Sequence, residues 1–191
     1  MATAPTPRIT EEEYLRLERA AETKSEFVGG AIVPRPGGPL VRALLAARWI
    51  AAVAVQLRGR NFPAFDSNLR IRTFRTGSYL YPDLSVVCGK PETYGDEDDI
   101  LTNPTVVIDV LPPSSSDFQS GGKFILYREI PSLKDYIAAH TGTVLIEHYS
   151  RQPESWLFRE YRSVETSVHI ESIECTIPLK DVYGGVAEFL E

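Results

Sequence analysis

A chain of 191 residues can bury one full core and is too short for two comfortable ones. Hydrophobic residues at 43% and charged residues at 24% are those of a soluble globular protein, not of a fibrous or disordered one. The net charge of −6 argues against a broad, nonspecific nucleic-acid coat and leaves room for a local basic groove.

Residues 1–9, with Pro5 and Pro7, read as a loose N-terminal arm, and residues 10–191 as a single domain. Thr10 before Glu11-Glu12-Glu13 places a capping hydroxyl and acids at the positive end of a helix whose apolar side is Tyr14, Leu15, Leu17 and Ala21. Phe27 to Val33 reads as a hairpin, with Gly29-Gly30 supplying the positive φ angles of a tight turn. Pro34 to Pro39 is a loop before a long apolar helix over about 40–58. Arg42, Arg48 and Gln56 inside that helix point to a buried core element and not a membrane span. Alternation over Phe62–Phe74 predicts Leu69 and Ile71 facing in and Arg70 and Arg72 facing out.

Strands are expected at 79–88 and 104–111, with a solvated acidic loop, Lys90–Asp99, between them. A helix follows near 117–130, ended by Pro131. Short strands come next at Asp135–Ala139, Thr143–Tyr149, Ser155–Tyr161 and Val168–Ile173, then a terminal helix at Leu179–Leu190. This order predicts an α+β or α/β fold, a mixed sheet with helices packed on it. Of the two cysteines, Cys88 ends an apolar strand and is expected to be a buried free thiol, and neither it nor Cys175 has metal-ligand spacing. The first residues lack the basic start and apolar run of a secretory signal, so the expected location is cytoplasmic.

Chemistry is signalled by two apolar runs that each carry one carboxylate, Tyr81-Pro82-Asp83-Leu84-Ser85-Val86-Val87 and Val106-Val107-Ile108-Asp109-Val110-Leu111. Burying a carboxylate costs several kcal/mol unless it is paired, hydrogen-bonded or holding a metal. Two such acids on neighbouring strands, with Lys123 further on, can form a site for a divalent cation and a nucleophilic water. The alternative is that they cap turns or pair with arginine. Glu26 has the same alternative, an ion pair with Lys24 or an arginine.

Several segments in this order resemble one family. They are Glu12-Glu13-Tyr14-Leu15, Lys24-Ser25-Glu26-Phe27-Val28-Gly29-Gly30, the Pro82-Asp83 run, Asn103-Pro104-Thr105, Val110-Leu111-Pro112-Pro113-Ser114, Lys123-Phe124 with Tyr127, and Ile130-Pro131-Ser132-Leu133 with Tyr136. Over roughly residues 10–183 the chain resembles the bacterial Uma-two family of restriction-endonuclease-like proteins, in the PD-(D/E)XK nuclease superfamily. The resemblance implies a restriction-endonuclease-like mixed β-sheet core flanked by helices, and a DNA endonuclease that uses Mg²⁺ or Mn²⁺. It makes Asp83 and Asp109 the metal-holding acids, Lys123 a migrated catalytic lysine and Glu26 an additional acid of the same pocket.

The chain departs from the family pattern at Leu40, where His is usual. It also departs at Asp109 in place of Glu, Pro112 in place of Ser, Gln119 in place of Asp, and Gly122 in place of an acid. A degraded relative that keeps the fold as a binding or assembly module is therefore the competing reading. Arg70 and Arg72 are candidate phosphate contacts, or else partners of the acidic loop. Nucleases of this superfamily often dimerise, and the aromatic strand at Trp156, Phe158 and Tyr161 is the candidate interface for a homodimer.

Overall fold

The computed structural model of the chain describes residues 8–112 and 122–186. Helix α1, Glu11–Ala20, begins as its sequence dictates: the Thr10 hydroxyl accepts the Glu13 amide at 3.2 Å, and three acids fill the first turn. Its one buried residue, Tyr14, stacks on Phe27 at 5.1 Å and donates its hydroxyl to the Ser25 carbonyl. This docks α1 on the hairpin of β1, Ser25–Val28, and β2, Ala31–Pro34. Gly29 and Gly30, at φ 59° and 85°, make the turn that residues with a β-carbon resist.

The hairpin is one edge of a five-stranded sheet ordered β2-β1-β5-β4-β7, with β4 at Arg70–Arg72, β5 at Tyr79–Leu80 and β7 at Ile100–Leu101. A six-stranded sheet has the order β11-β10-β9-β8-β6-β3. Its strands are β3, Ala64–Asp66; β6, Leu84–Val86; β8, Val106–Leu111; β9, Asp135–His140; β10, Ile146–Arg151; and β11, Trp156–Tyr161. The β8–β9 pairing is parallel and the other pairings of this sheet are antiparallel. The predicted strand at 79–88 is thus two strands in two sheets. The chain crosses from one to the other at Tyr81-Pro82-Asp83, where proline removes a ladder donor.

Strand β8 is buried on both faces, which is why it reads as a nearly continuous apolar run. Val106, Ile108 and Val110 pack on one side against Leu45, Trp49 and Val53 of α2, Leu40–Leu57. That core also takes in the hairpin of β12, Ser167–Ile170, and β13, Cys175–Pro178, and helix α4, Leu179–Tyr183. Val107 and Leu111 face the other side, with Leu126 and Tyr127 of α3, Lys123–Tyr127, and Tyr136 of β9. By strand alternation Asp109 belongs to this second side.

Several expectations change. Helix α2 buries a stripe, Leu45, Trp49, Val53 and Leu57, and leaves Leu40 and Val55 79% and 65% exposed, so it is a half-buried helix. Arg42 and Arg48 turn inward to backbone carbonyls at Val110, and at Val182 and Gly184. Cys88 is exposed because β6 ends at Val86 and the chain turns outward, whereas Cys175 is buried. Ile71 is buried as expected, but Arg70 is buried too, drawn in by an ion pair to Asp99. The predicted strand at Val168–Ile173 stops at Ile170 in a 3₁₀ turn, and β13, which the sequence reading missed, completes the hairpin. The helix expected at 179–190 stops at Tyr183, where Gly184 caps it; positions from 187 on, like the N-terminal part of the helix expected at 117–130, lie outside the described residues.

Candidate active site

Four elements deliver the predicted site residues to one place. Glu26 comes from β1, Asp83 from the crossover before β6, Asp109 from the middle of β8, and Lys123 opens α3. All four are buried, each no more than 5% exposed. Glu26 Oε1 accepts the Lys123 ammonium at 2.7 Å, Arg35 Nη1 at 2.9 Å and the Tyr81 amide at 3.1 Å. Lys123 Nζ also lies 3.8 Å from Asp109 Oδ1. Asp109 Oδ2 accepts the Tyr136 hydroxyl at 3.2 Å, while Oδ1 is buried with no hydrogen-bond partner among the described residues.

Asp83 is held differently. Its Oδ1 accepts Arg35 Nη2 at 3.1 Å and Arg42 Nη2 at 2.7 Å, and its Oδ2 accepts Arg42 Nη2 at 2.9 Å and the Val110 amide at 2.8 Å. The sequence reading missed Arg35 and used Arg42 only as a mark against a membrane span. The available signals were an arginine between Pro34 and Pro36, and a charge in the first turn of an apolar helix. Tyr136, named above only as part of a family motif, packs in the core and also orients Asp109.

Burial and neighbouring charge set the protonation of the group. Burial alone would raise the Glu26 carboxyl, but the Lys123 ammonium and the Arg35 guanidinium outweigh it and hold Glu26 below the usual carboxylate range. Asp109 goes the other way. Its complete burial outweighs Lys123, and Asp83 adds to the effect, so its carboxyl is raised. Burial pulls on Arg35 too, yet Asp83, Asp109 and Glu26 keep it above the ordinary guanidinium value. Burial together with Asp109 pushes the Tyr127 and Tyr136 phenols up.

A cavity of about 180 Å³ opens over this cluster, lined by Glu26, Arg35, Arg42, Asp109 and Lys123 among others. Among the described residues no group of three or more His, Cys, Asp or Glu side chains is arranged around a common metal position. The oxygen chemistry still suits a hard cation on one side of the cavity. Asp109 has its unpartnered Oδ1, and the hydrogen bonds Glu26 accepts among the described residues run through Oε1. Asp83 has no such opening.

Arg70 and Arg72 lie elsewhere. Arg70 pairs with Asp99, and Arg72 pairs with Glu11 at 3.0 Å and stacks on Tyr94 at 4.4 Å. Arg70 is thus a partner of the acidic loop. On β11, Phe158 and Leu157 are 46% and 39% exposed, and Trp156 lies under the Arg151 guanidinium at 4.4 Å.

A crystal structure from Anabaena variabilis ATCC 29413, titled as a "putative nuclease belonging to DUF820", superimposes with a TM-score of 0.75 at 21% identity, covering 93% of this chain and 99% of that one. At that identity the likeness speaks for the fold. Two uncharacterized proteins of Synechocystis sp. (strain PCC 6803) are similar in sequence. The protein slr1290 is 30% identical over 185 residues, 96% of this chain and 96% of its own length. The protein sll1609 is 31% identical over 161 residues, 84% of this chain and 91% of its own. The profile of the Uma2 family, described as "Putative restriction endonuclease", matches residues 11–180, a span that contains all four site residues, and the chain belongs to that family.

Proposed function

We propose that the protein is a divalent-metal-dependent DNA endonuclease that hydrolyses phosphodiester bonds at the cavity over Glu26, Asp83, Asp109 and Lys123. The observation that carries this reading is the clustering of three buried acids and a buried lysine from four separate elements, with Glu26, Asp109 and Lys123 lining one cavity. Membership of the family and the nuclease-like fold support it.

Mg²⁺ or Mn²⁺ would be held by Asp109 and Glu26, with Asp83 joining when its arginines release it. A bound cation of this kind supplies polarisation of the scissile phosphate and a more acidic water. The chain's own residues do the rest. Tyr136 fixes the Asp109 rotamer through Oδ2 and leaves Oδ1 without a hydrogen-bond partner among the described residues. Lys123 is held between Glu26 and Asp109, placed to stabilise charge that builds on phosphate oxygens. Val33 and Leu111 add apolar lining to the cavity, and a less polar surround strengthens each of these interactions.

The test is nicking of supercoiled plasmid in Mn²⁺ against EDTA, with Asp109→Asn as the matched control. Metal-dependent nicking that is lost in the variant is the expected result. Equal products from both proteins, or none from either, would remove the catalytic reading. A second reading, a nuclease fold retained for binding alone, has its own observation behind it, the saturation of Asp83 by Arg35, Arg42 and a backbone amide.

A further inference from the structure

We infer that Arg35 and Arg42 are resident counter-cations that stand on Asp83 in the place of a metal ion, so that their release sets the affinity of the pocket for divalent cations. The inference rests on the reading of this cavity as a cation-using site and says how that site is regulated. A carboxylate offers about four lone-pair directions. Those of Asp83 are met by Arg35, by two contacts from Arg42, and by the Val110 amide. The charge balance agrees. Among the described residues Glu26, Asp83 and Asp109 face Arg35, Arg42 and Lys123, so three acids meet three bases and the group offers no surplus negative charge to a doubly charged ion.

The arginines are built into place and have not merely folded over from the surface. Arg35 sits between Pro34 and Pro36, its amide donates to the Lys24 carbonyl at 2.9 Å, and its guanidinium bridges Glu26 and Asp83. Proline on each side narrows the backbone freedom of this loop. Arg42 is anchored twice, by its amide on the Pro39 carbonyl and its Nε on the Val110 carbonyl, both at 3.0 Å. Its stem runs over Gly38, where an added β-carbon would stand 2.6 Å from Arg42 Cδ, so glycine there leaves the stem its path. Both arginines line the cavity together with Asp109 and Lys123.

An incoming divalent cation must therefore compete with two fixed guanidiniums for Asp83. Removing them leaves Asp83 with only the Val110 amide among its present partners, next to two further acids, and takes away two like charges from the neighbourhood of the ion. The arginines then weaken metal binding, a sign opposite to that of a residue which only shapes the pocket.

The experiment is a Mn²⁺ titration, with free ion read by electron paramagnetic resonance. It compares the native protein, Arg35→Gln, Arg42→Gln, the double variant, and the double variant carrying Asp83→Asn. The double variant is expected to bind about tenfold tighter or better than the native protein, with Asp83→Asn cancelling the gain. Arg42→Lys, which restores a cation, should return native affinity. Unchanged or weaker binding in the double variant would overturn the inference, as would a gain that survives Asp83→Asn. If thermal melts show the double variant unfolded, Arg35→Gln alone decides, because Arg42 still satisfies Asp83 in it. Tighter binding supports the inference and unchanged affinity overturns it. The nuclease reading fails separately. A native protein that never nicks, with a double variant that gains an Asp83-dependent Mn²⁺ site, would remove the first claim and keep the second.

Discussion

Asp109 and Glu26 line one cavity and are driven in opposite directions, Asp109 upward by burial and Glu26 downward by Lys123 and Arg35. The consequences for stability also have opposite signs. Folded Asp109 keeps its proton to higher pH than in the unfolded chain, so stability falls as pH rises from an ordinary carboxyl value of about 4 through its raised folded value. Glu26 contributes stability that is complete above its unfolded value and is lost as pH falls through its depressed folded value. In Asp109→Asn the first of these slopes should vanish. Urea unfolding from about pH 4 to about pH 8 should then show the native protein losing more stability on the way up than the variant, and parallel curves would sink this account. The sequence exposed the acids because charge inside an apolar run is conspicuous. It hid Arg35 and Arg42, since an arginine in a Pro-Gly loop and one at a helix start are ordinary until the tertiary fold shows what they touch.

At the scale of elements, α2 meets β8, β13 and α4 with a single stripe. Trp49, fully buried, and Val55, two-thirds exposed, lie on the same helix and should behave differently. Trp49→Ala should cost about 3–5 kcal/mol in chemical denaturation, through lost burial and the cavity left behind. Val55→Gln should stay within about 0.5 kcal/mol. Comparable losses at both sites would mean that the outer face is covered too. Periodicity located α1, the first hairpin, α2 and β8 to β11 to within a few residues, because each has a pattern that only one face or two buried faces can produce. It failed at β5 and β6, which read as one run, because sheet membership is a long-range property. It failed again at β13, a short strand whose partner, β12, defines it.

For the whole molecule, the proposed endonuclease activity at a net charge of −6 requires nucleic acid to be met locally. The cations lining the cavity are Arg35, Arg42 and Lys123, while Arg70 and Arg72 are spent on Asp99 and Glu11. With about 0.9 counterions released per phosphate contact, log affinity for duplex DNA should fall against log salt with a slope no steeper than about −3. A slope near −6 in a filter-binding or anisotropy series would mean that β4 or other surfaces share the contact. The mixed α+β architecture was legible from the order of elements, but its division into two sheets meeting near the acids was not.

The chain's passage between sheets at Tyr81-Pro82-Asp83 has a mechanical consequence. Glu26 is fastened to one sheet and Asp109 to the other, and Arg35 reaches across from Glu26 to Asp83 like a rivet through a seam. Such a joint has no tolerance for slippage. A shear of an ångström between the two sheets would leave every strand intact and still scatter the cluster, so the chemistry depends on the seam staying closed more than on either sheet staying whole.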